Sequence, residues 1–403
     1  MPVALFILLV FLGGCGNQTA PVYHSEGRPS ALSDWGLLYR DGDQLHLGTG
    51  VQSYTLNSAL FSDHAGKLRT LWMPSGQSAT YSPTDTFDFP VGTVISKTFY
   101  YPLDAEGHVL RGDNPGASTA AMTSLDLDQV RLVETRLLVL REGGWVALPY
   151  VWNEDQQDAR LVRTGYSEAF TLAEPDGRRR KVDYLVPNVN QCAGCHAVNN
   201  TTRKLQPIGP TARQLNRDLV YQGGSREGNP HEGNVTKSTR NQLKHLAEAG
   251  YLKGLPAVDD IPRAAAWHDT REPLEARARA YLDINCAHCH NPVGPADTSG
   301  LHLHASATSG PNLGICKPPI AAGPGSGGHR FGILPGMPDA SILTYRMASR
   351  QADVMMPELG RSLVHEEGVA LIGDWIAGLP GDCGVIESST LNPRRVGAVT
   401  TGQ

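Results

Sequence analysis

Two copies of the pattern Cys-x-x-Cys-His constrain this chain more than any other feature: Cys192-Ala193-Gly194-Cys195-His196 and Cys286-Ala287-His288-Cys289-His290. Two cysteines three apart share one side of a helical turn, so both thiols can form thioethers with the two vinyl groups of one haem. The next histidine then turns back over the porphyrin and offers a nitrogen to the iron. The pair predicts two covalently bound haem c groups, one on Cys192 and Cys195, the other on Cys286 and Cys289. His196 and His290 are the expected axial ligands. The competing chemistry for such cysteines is a zinc site or a redox dithiol. The histidine on each copy and the leader ahead of them weigh against it.

That leader is an apolar run, Val3 to Leu12, followed by Gly13, Gly14 and Cys15. It is too short to span a bilayer, which takes about 20 residues, but it has the length of a secretory signal core. Leu12-Gly13-Gly14-Cys15 resembles the lipobox of bacterial lipoproteins, although no Lys or Arg precedes the apolar run. The expectation is a signal peptide over 1–14, lipidation at Cys15 and a flexible tether over 15–30. The mature chain would then be exported, on the periplasmic face, and held to a membrane by its lipid. Gly16 slightly favours the outer membrane. The chain has seven cysteines. One for lipid and four for haem leave Cys316 and Cys383, which an oxidising compartment can join as a disulfide. A net charge of −5 gives no basic surface for nucleic acid.

The chain divides by texture. Residues 31–188 are rich in β-formers, and Glu142-Gly143-Gly144 and Asp176-Gly177 mark hairpins. This part predicts an antiparallel β-rich domain, a sandwich or barrel, with no catalytic constellation of its own. Arg178 to Lys181 reads as the solvated flank of its last hairpin. A first haem segment over 189–262 follows, then a second haem domain over 263–385 and a flexible tail over 386–403. Leu274, Ala278, Tyr281, Leu282 and Asn285 fall on one face of a helix entering the second motif, capped by Asp269 or Thr270. Val369, Ile372, Trp375, Ile376 and Leu379 repeat at helical spacing before Pro380. The expected fold class is therefore multidomain, the β-rich part being followed by a mainly α-helical, cytochrome c-like haem-binding region.

A helix before the motif and another at the domain's end resemble a class I cytochrome c. There the sixth iron ligand is usually a Met in a loop before the last helix. Met356, directly before Pro357, matches that place best, with Met355, His329, Met337 and Met347 as rivals. The same resemblance implies that a proline carbonyl accepts the Nδ1 hydrogen of each ligand histidine. Gly209-Pro210 and Gly294-Pro295 are the leading positions, Pro207 and Pro292 their rivals. For the first haem no methionine lies between His196 and the second motif. His245, on a helix expected over Asn241 to Tyr251, leads the candidates. His231, His268, His64, Met73 or an open site are the alternatives.

Taken together the chain resembles a family of exported bacterial di-haem c-type cytochromes. The residues that carry the resemblance are Leu60-Phe61-Ser62-Asp63, Phe89 to Thr93, Lys97-Thr98-Phe99, Ala147 to Asn153, Pro187 to Gln191, Asp283-Ile284-Asn285, Asn291-Pro292 and Met356 to Gly360. It implies haem binding and electron transfer with redox partner proteins, and no substrate. A lipid-anchored, non-catalytic electron carrier is the leading expectation. A di-haem peroxidase-like enzyme and a cytochrome subunit of a periplasmic dehydrogenase complex are the alternatives.

Overall fold

The computed structural model describes residues 19–113, 119–222, 237–320 and 322–384. The expected leader, Cys15, the start of the tether, His231 and the tail 386–403 lie outside the described residues.

The front of the chain supplies β1 (Leu38–Asp41), β2 (Gln44–Leu47), β3 (Gln52–Tyr54), β4 (Gly66–Trp72), β5 (Ala79–Thr80), β6 (Val94–Pro102) and β7 (Val109–Leu110). It continues with β8 (Ser124–Asp126), β9 (Val130–Arg141), β10 (Gly144–Trp152), β11 (Ala159–Leu161), β12 (Tyr166–Ala173) and β13 (Arg179–Val186). The main sheet has six antiparallel strands in the order β11-β10-β9-β6-β4-β3. The two sequence hairpins are β9–β10 and β12–β13, with Gly177 at φ +83° supplying the left-handed turn residue of the second.

Strand alternation divides the main sheet into two faces. One face carries Leu68, Val94, Leu137, Val139, Leu148 and Tyr150 and packs on Trp35, Leu37 and Leu45. The opposite face bears two separate apolar clusters. Leu71, Ile95 and Leu138 belong to one, with Leu215, Leu243 and Leu246 from later in the chain. Phe99, Tyr101 and Val133 belong to the other, with Val182, Tyr184 and Val186 of β13.

The second half corrects the expected fold class. The described residues are about 28% strand and 19% helix, and no mainly helical cytochrome c-like region is present among them. After β13 come α1 (Cys192–His196), α2 (Ala212–Leu215), β14 (Asp218–Gln222), β15 (Lys237–Asn241), α3 (Gln242–Glu248), β16 (Leu252–Lys253), α4 (Leu274–Cys286), α5 (Ile342–Ala348) and α6 (Glu366–Ala377). Among the described residues only α4 and α6 exceed seven residues. Glycine and proline break the rest into turns and short 3₁₀ segments, from Asp297–Ser299 to Pro338–Ala340. The region is also woven into the front half: β16 pairs with β5 in parallel, and α2 and α3 share an apolar cluster with the main sheet.

α4 and α6 pack through Ala278, Tyr281, Leu282, Ile372, Trp375 and Ile376. The helix into the second motif starts at Leu274 after Pro273, so neither Asp269 nor Thr270 caps it. Asp269 instead holds Arg271. The segment Phe61 to His64 fastens this helix pair to the sheet. Phe61 N–H donates to Asn285 Oδ1 at 2.9 Å, and its ring stacks on His365, centroids 4.3 Å apart. Asp63 and His64 both adopt left-handed backbone (φ 48° and 63°), an unfavourable choice for non-glycine residues. The buried Asp63 carboxylate holds that turn by accepting from Ser362 N–H and Leu363 N–H at 2.8 and 2.7 Å. Arg180 reaches Glu366 at the start of α6, so the basic run of the β12–β13 hairpin braces a helix.

Candidate functional site

The first motif follows directly from the sheet. β13 ends at Val186, and the Asn188 carboxamide accepts from Asn190 N–H and Gln191 N–H at 3.0 and 2.8 Å, turning the chain into α1. His196 Nδ1 donates to the Gln206 carbonyl at 2.8 Å, and Gln206 N–H returns a bond to the His196 carbonyl. That bond places the proton on Nδ1 and leaves Nε2 as a lone-pair nitrogen. Burial, outweighing the Gln206 bond, and the nearby Lys97, His288 and Arg136 charges bring its pKa down to about 4, so the ring is neutral at pH 7.

The second motif is the end of α4. Arg213 of α2 grips Asp283 with its guanidinium at 2.7–3.2 Å, and Ala305 N–H donates to the same carboxylate. His290 Nδ1 lies 3.1 Å from Ser299 Oγ, whose hydroxyl donates to the Ala296 carbonyl at 2.6 Å. The serine proton is thereby committed, so the histidine must be the donor and Nε2 is again free. Burial, with Arg346 adding to it, lowers His290 to about 4. The orienting acceptors are thus Gln206 and Ser299, and no proline carbonyl takes either Nδ1 proton.

The fold brings motifs 94 positions apart into contact. The Cys289 thiol lies 3.5 Å from the Gly194 carbonyl, and Asn200 N–H donates to the Val293 carbonyl at 2.6 Å. The loop Met356 to Gly360 lies beside both. A Cβ at Gly194 would sit 3.2 Å from Leu359 Cδ1, and the Glu358 charge raises Cys289. Met356 N–H donates to the Arg346 carbonyl, and Arg361 binds the carbonyls of Met356, Ser349 and Leu363. Arg361 thereby ties the Met356 loop to the same Leu363 that Asp63 holds.

The donor set fits haem c. The four motif cysteines are unpaired, whereas Cys316 and Cys383 form a disulfide (S–S 2.06 Å). Burial pushes Cys286 and Cys289 up to about 12 and raises Cys192 and Cys195 as well. Such thiols are poor redox nucleophiles, which need a lowered pKa, but thioether formation removes the proton for good. His288, inside the second motif and 8% exposed, has a buried Nδ1 without a hydrogen-bond partner. Burial, together with His290 and Lys97, holds it neutral, near 4.

Other expected ligands are placed elsewhere. His245 bonds Gln52 at 3.1 Å and stacks on Tyr221 at 3.9 Å, at the β3 edge. Met73 is core. His64 donates to Asp113 at 2.9 Å in the Phe61 joint, and His268 lies edge-on to Trp267. Met347 is buried core, Met337 is exposed, and His329 packs on Tyr345. His288 was hidden in the sequence because its position within the motif is variable by definition; an imidazole there was the only available signal. Among the described residues no helix is long and apolar enough to cross a membrane. Comparison with known protein families, curated proteins and solved structures returns no match.

Proposed function

We propose that this protein is an exported, lipid-anchored di-haem c-type cytochrome that passes electrons between redox partner proteins. The observation that carries the reading is the contact between the two motifs, Cys289 Sγ to Gly194 O at 3.5 Å. Haems tethered to touching peptides are close neighbours, and electron tunnelling falls steeply with distance. Cys192 and Cys195 would hold the first haem and Cys286 and Cys289 the second, with His196 and His290 as the iron ligands nearest in sequence. His288 would supply a second nitrogen donor to the first iron, supported by its buried, unpartnered ring nitrogen and its influence on His196. Met356 is our assignment for the second iron, supported by the loop that Arg346 and Arg361 pin beside that motif.

The bound haems supply the reversible one-electron iron couple. The chain's part is to keep each iron's ligands fixed in both oxidation states. Gln206 and Ser299 fix the tautomers, and Arg361 fixes the Met356 loop. Low-temperature EPR of the oxidised protein tests this reading. It should give two low-spin signals, one bis-histidine and one His/Met, with no carbon monoxide binding after reduction. A high-spin iron with peroxide turnover would instead make the protein a peroxidase-like enzyme.

A further inference from the structure

Between the two apolar clusters on the inner face of the main sheet lies a row of three cations. Arg69 of β4 pairs in register with Lys97 of β6, and Lys97 with Arg136 of β9. Neighbouring strands are about 4.8 Å apart, so the row spans roughly 10 Å. Like charges directly opposite one another are destabilising in a sheet. Along the strands one side of the row is core, Leu71, Ile95 and Leu138, and the other carries Lys67, Phe99 and Glu134. Apolar residues in the row would merge the two clusters into one core.

Only one of the three cations is neutralised. Arg136 grips Glu134 with two bonds of 2.7 and 2.5 Å, and Tyr184 donates to the same carboxylate. Arg69, 8% exposed, and the half-buried Lys97 have no hydrogen bond or ion pair among the described residues; Lys97 has only the Phe99 ring, 5.7 Å away. A buried cation without a partner is costly. The row faces the first motif: Arg136 acts on Cys192 and Cys195, and Lys97 on Cys195 and His196. Arg69 is one strand further from the cysteines. A haem carries its two carboxylates on the edge opposite its thioethers.

We infer that Arg69 and Lys97 are the carboxylate-binding residues for the propionates of the haem carried by Cys192 and Cys195. The inference rests on the di-haem reading above. It gives the large β-domain a role, since the sheet becomes one wall of the haem site.

The test uses the full chain matured with haem, comparing wild type with Arg69→Gln, Lys97→Met and the charge-keeping Arg69→Lys and Lys97→Arg. Arg178→Gln, at an exposed arginine paired with Asp176, serves as the control. Three quantities are read: haem per chain, the two midpoint potentials, and the propionate bending bands in resonance Raman spectra. Removing a cation beside a haem favours the oxidised iron. One midpoint potential should therefore fall in Arg69→Gln and Lys97→Met, stay near wild type in the charge-keeping variants, and be unmoved by Arg178→Gln. The propionate bands should shift in Arg69→Lys too, because lysine cannot reproduce the guanidinium fork. If the neutral variants lose their fold, those bands in the two charge-keeping variants decide the matter. Unchanged potentials and bands in haem-loaded variants overturn the inference. A wild-type chain without haem overturns the underlying reading instead.

Discussion

Ser299 shows how a single side chain sets the chemistry of the second motif. Its proton is committed to the Ala296 carbonyl, so it can only accept from His290 Nδ1. On the di-haem reading, donating that proton makes the ring a stronger donor to iron and favours the oxidised state. Ser299→Ala should therefore raise the midpoint potential of one haem and leave the other unmoved, as read by spectroelectrochemistry. An unchanged pair of potentials would show that the bond does not tune the iron. None of this was legible in sequence. The motif histidines were, because Cys-x-x-Cys-His is a local pattern. The acceptors depend on how the following loop folds back, and both turned out to be residues other than the prolines favoured by analogy. His245 illustrates a position set by packing. Its helix was expected and is present, but the apolar face of Leu243 and Leu246 docks on the main sheet, so His245 meets Gln52 and Tyr221.

At the scale of elements, strong periodicity was a reliable guide. The β9–β10 and β12–β13 hairpins, α4 and α6 all follow from alternating or helical spacing, with ends shifted by a few residues. Extrapolating from two good helices to a helical region was the error. Between α4 and α6 the chain contains many glycines and prolines, whose backbone preferences favour turns over helix. What holds α4 against α6 is close approach at Gly368. A Cβ there would fall 2.3 Å from Tyr281 Oη, and that buried ring cannot swing away because its hydroxyl is hydrogen-bonded to His365 Nδ1 at 3.0 Å. Gly368→Ala should cost about 1–3 kcal/mol by overpacking, measured by denaturant unfolding. A neutral substitution would mean that the helix pair can slide.

For the molecule as a whole, the important joints are long-range and polar, which sequence periodicity cannot reveal. Asp63 binds residues 299 and 300 positions away. His64 and Asp113 close the neighbouring loop. Burial pushes the Asp113 carboxyl up, but the His64 bond and the His64, Arg111 and Lys67 charges outweigh it and hold it at about 2. Its unfolded value is about 3.9, so the group's stabilisation is complete above that value and is lost as pH falls through about 2. Asp113→Asn should lower unfolding free energy by about 2 kcal/mol at pH 7, with the gap to wild type closing near pH 2. A gap independent of pH would assign the loss to packing. Two of the segments that carried the family resemblance, Phe61 to Asp63 and Asp283 to Asn285, prove to be joints between sheet and helices. Their chemistry is mechanical: they bring two distant motifs together.

The central claim is that both motifs carry haem in one contiguous centre. Peptide mapping by mass spectrometry of the protein, produced in a host that matures c-type cytochromes, tests it most directly. The account predicts haem on the peptides containing Cys192 and Cys195 and Cys286 and Cys289, with Cys316 and Cys383 recovered as a linked pair. Unmodified thiols at either motif would contradict it.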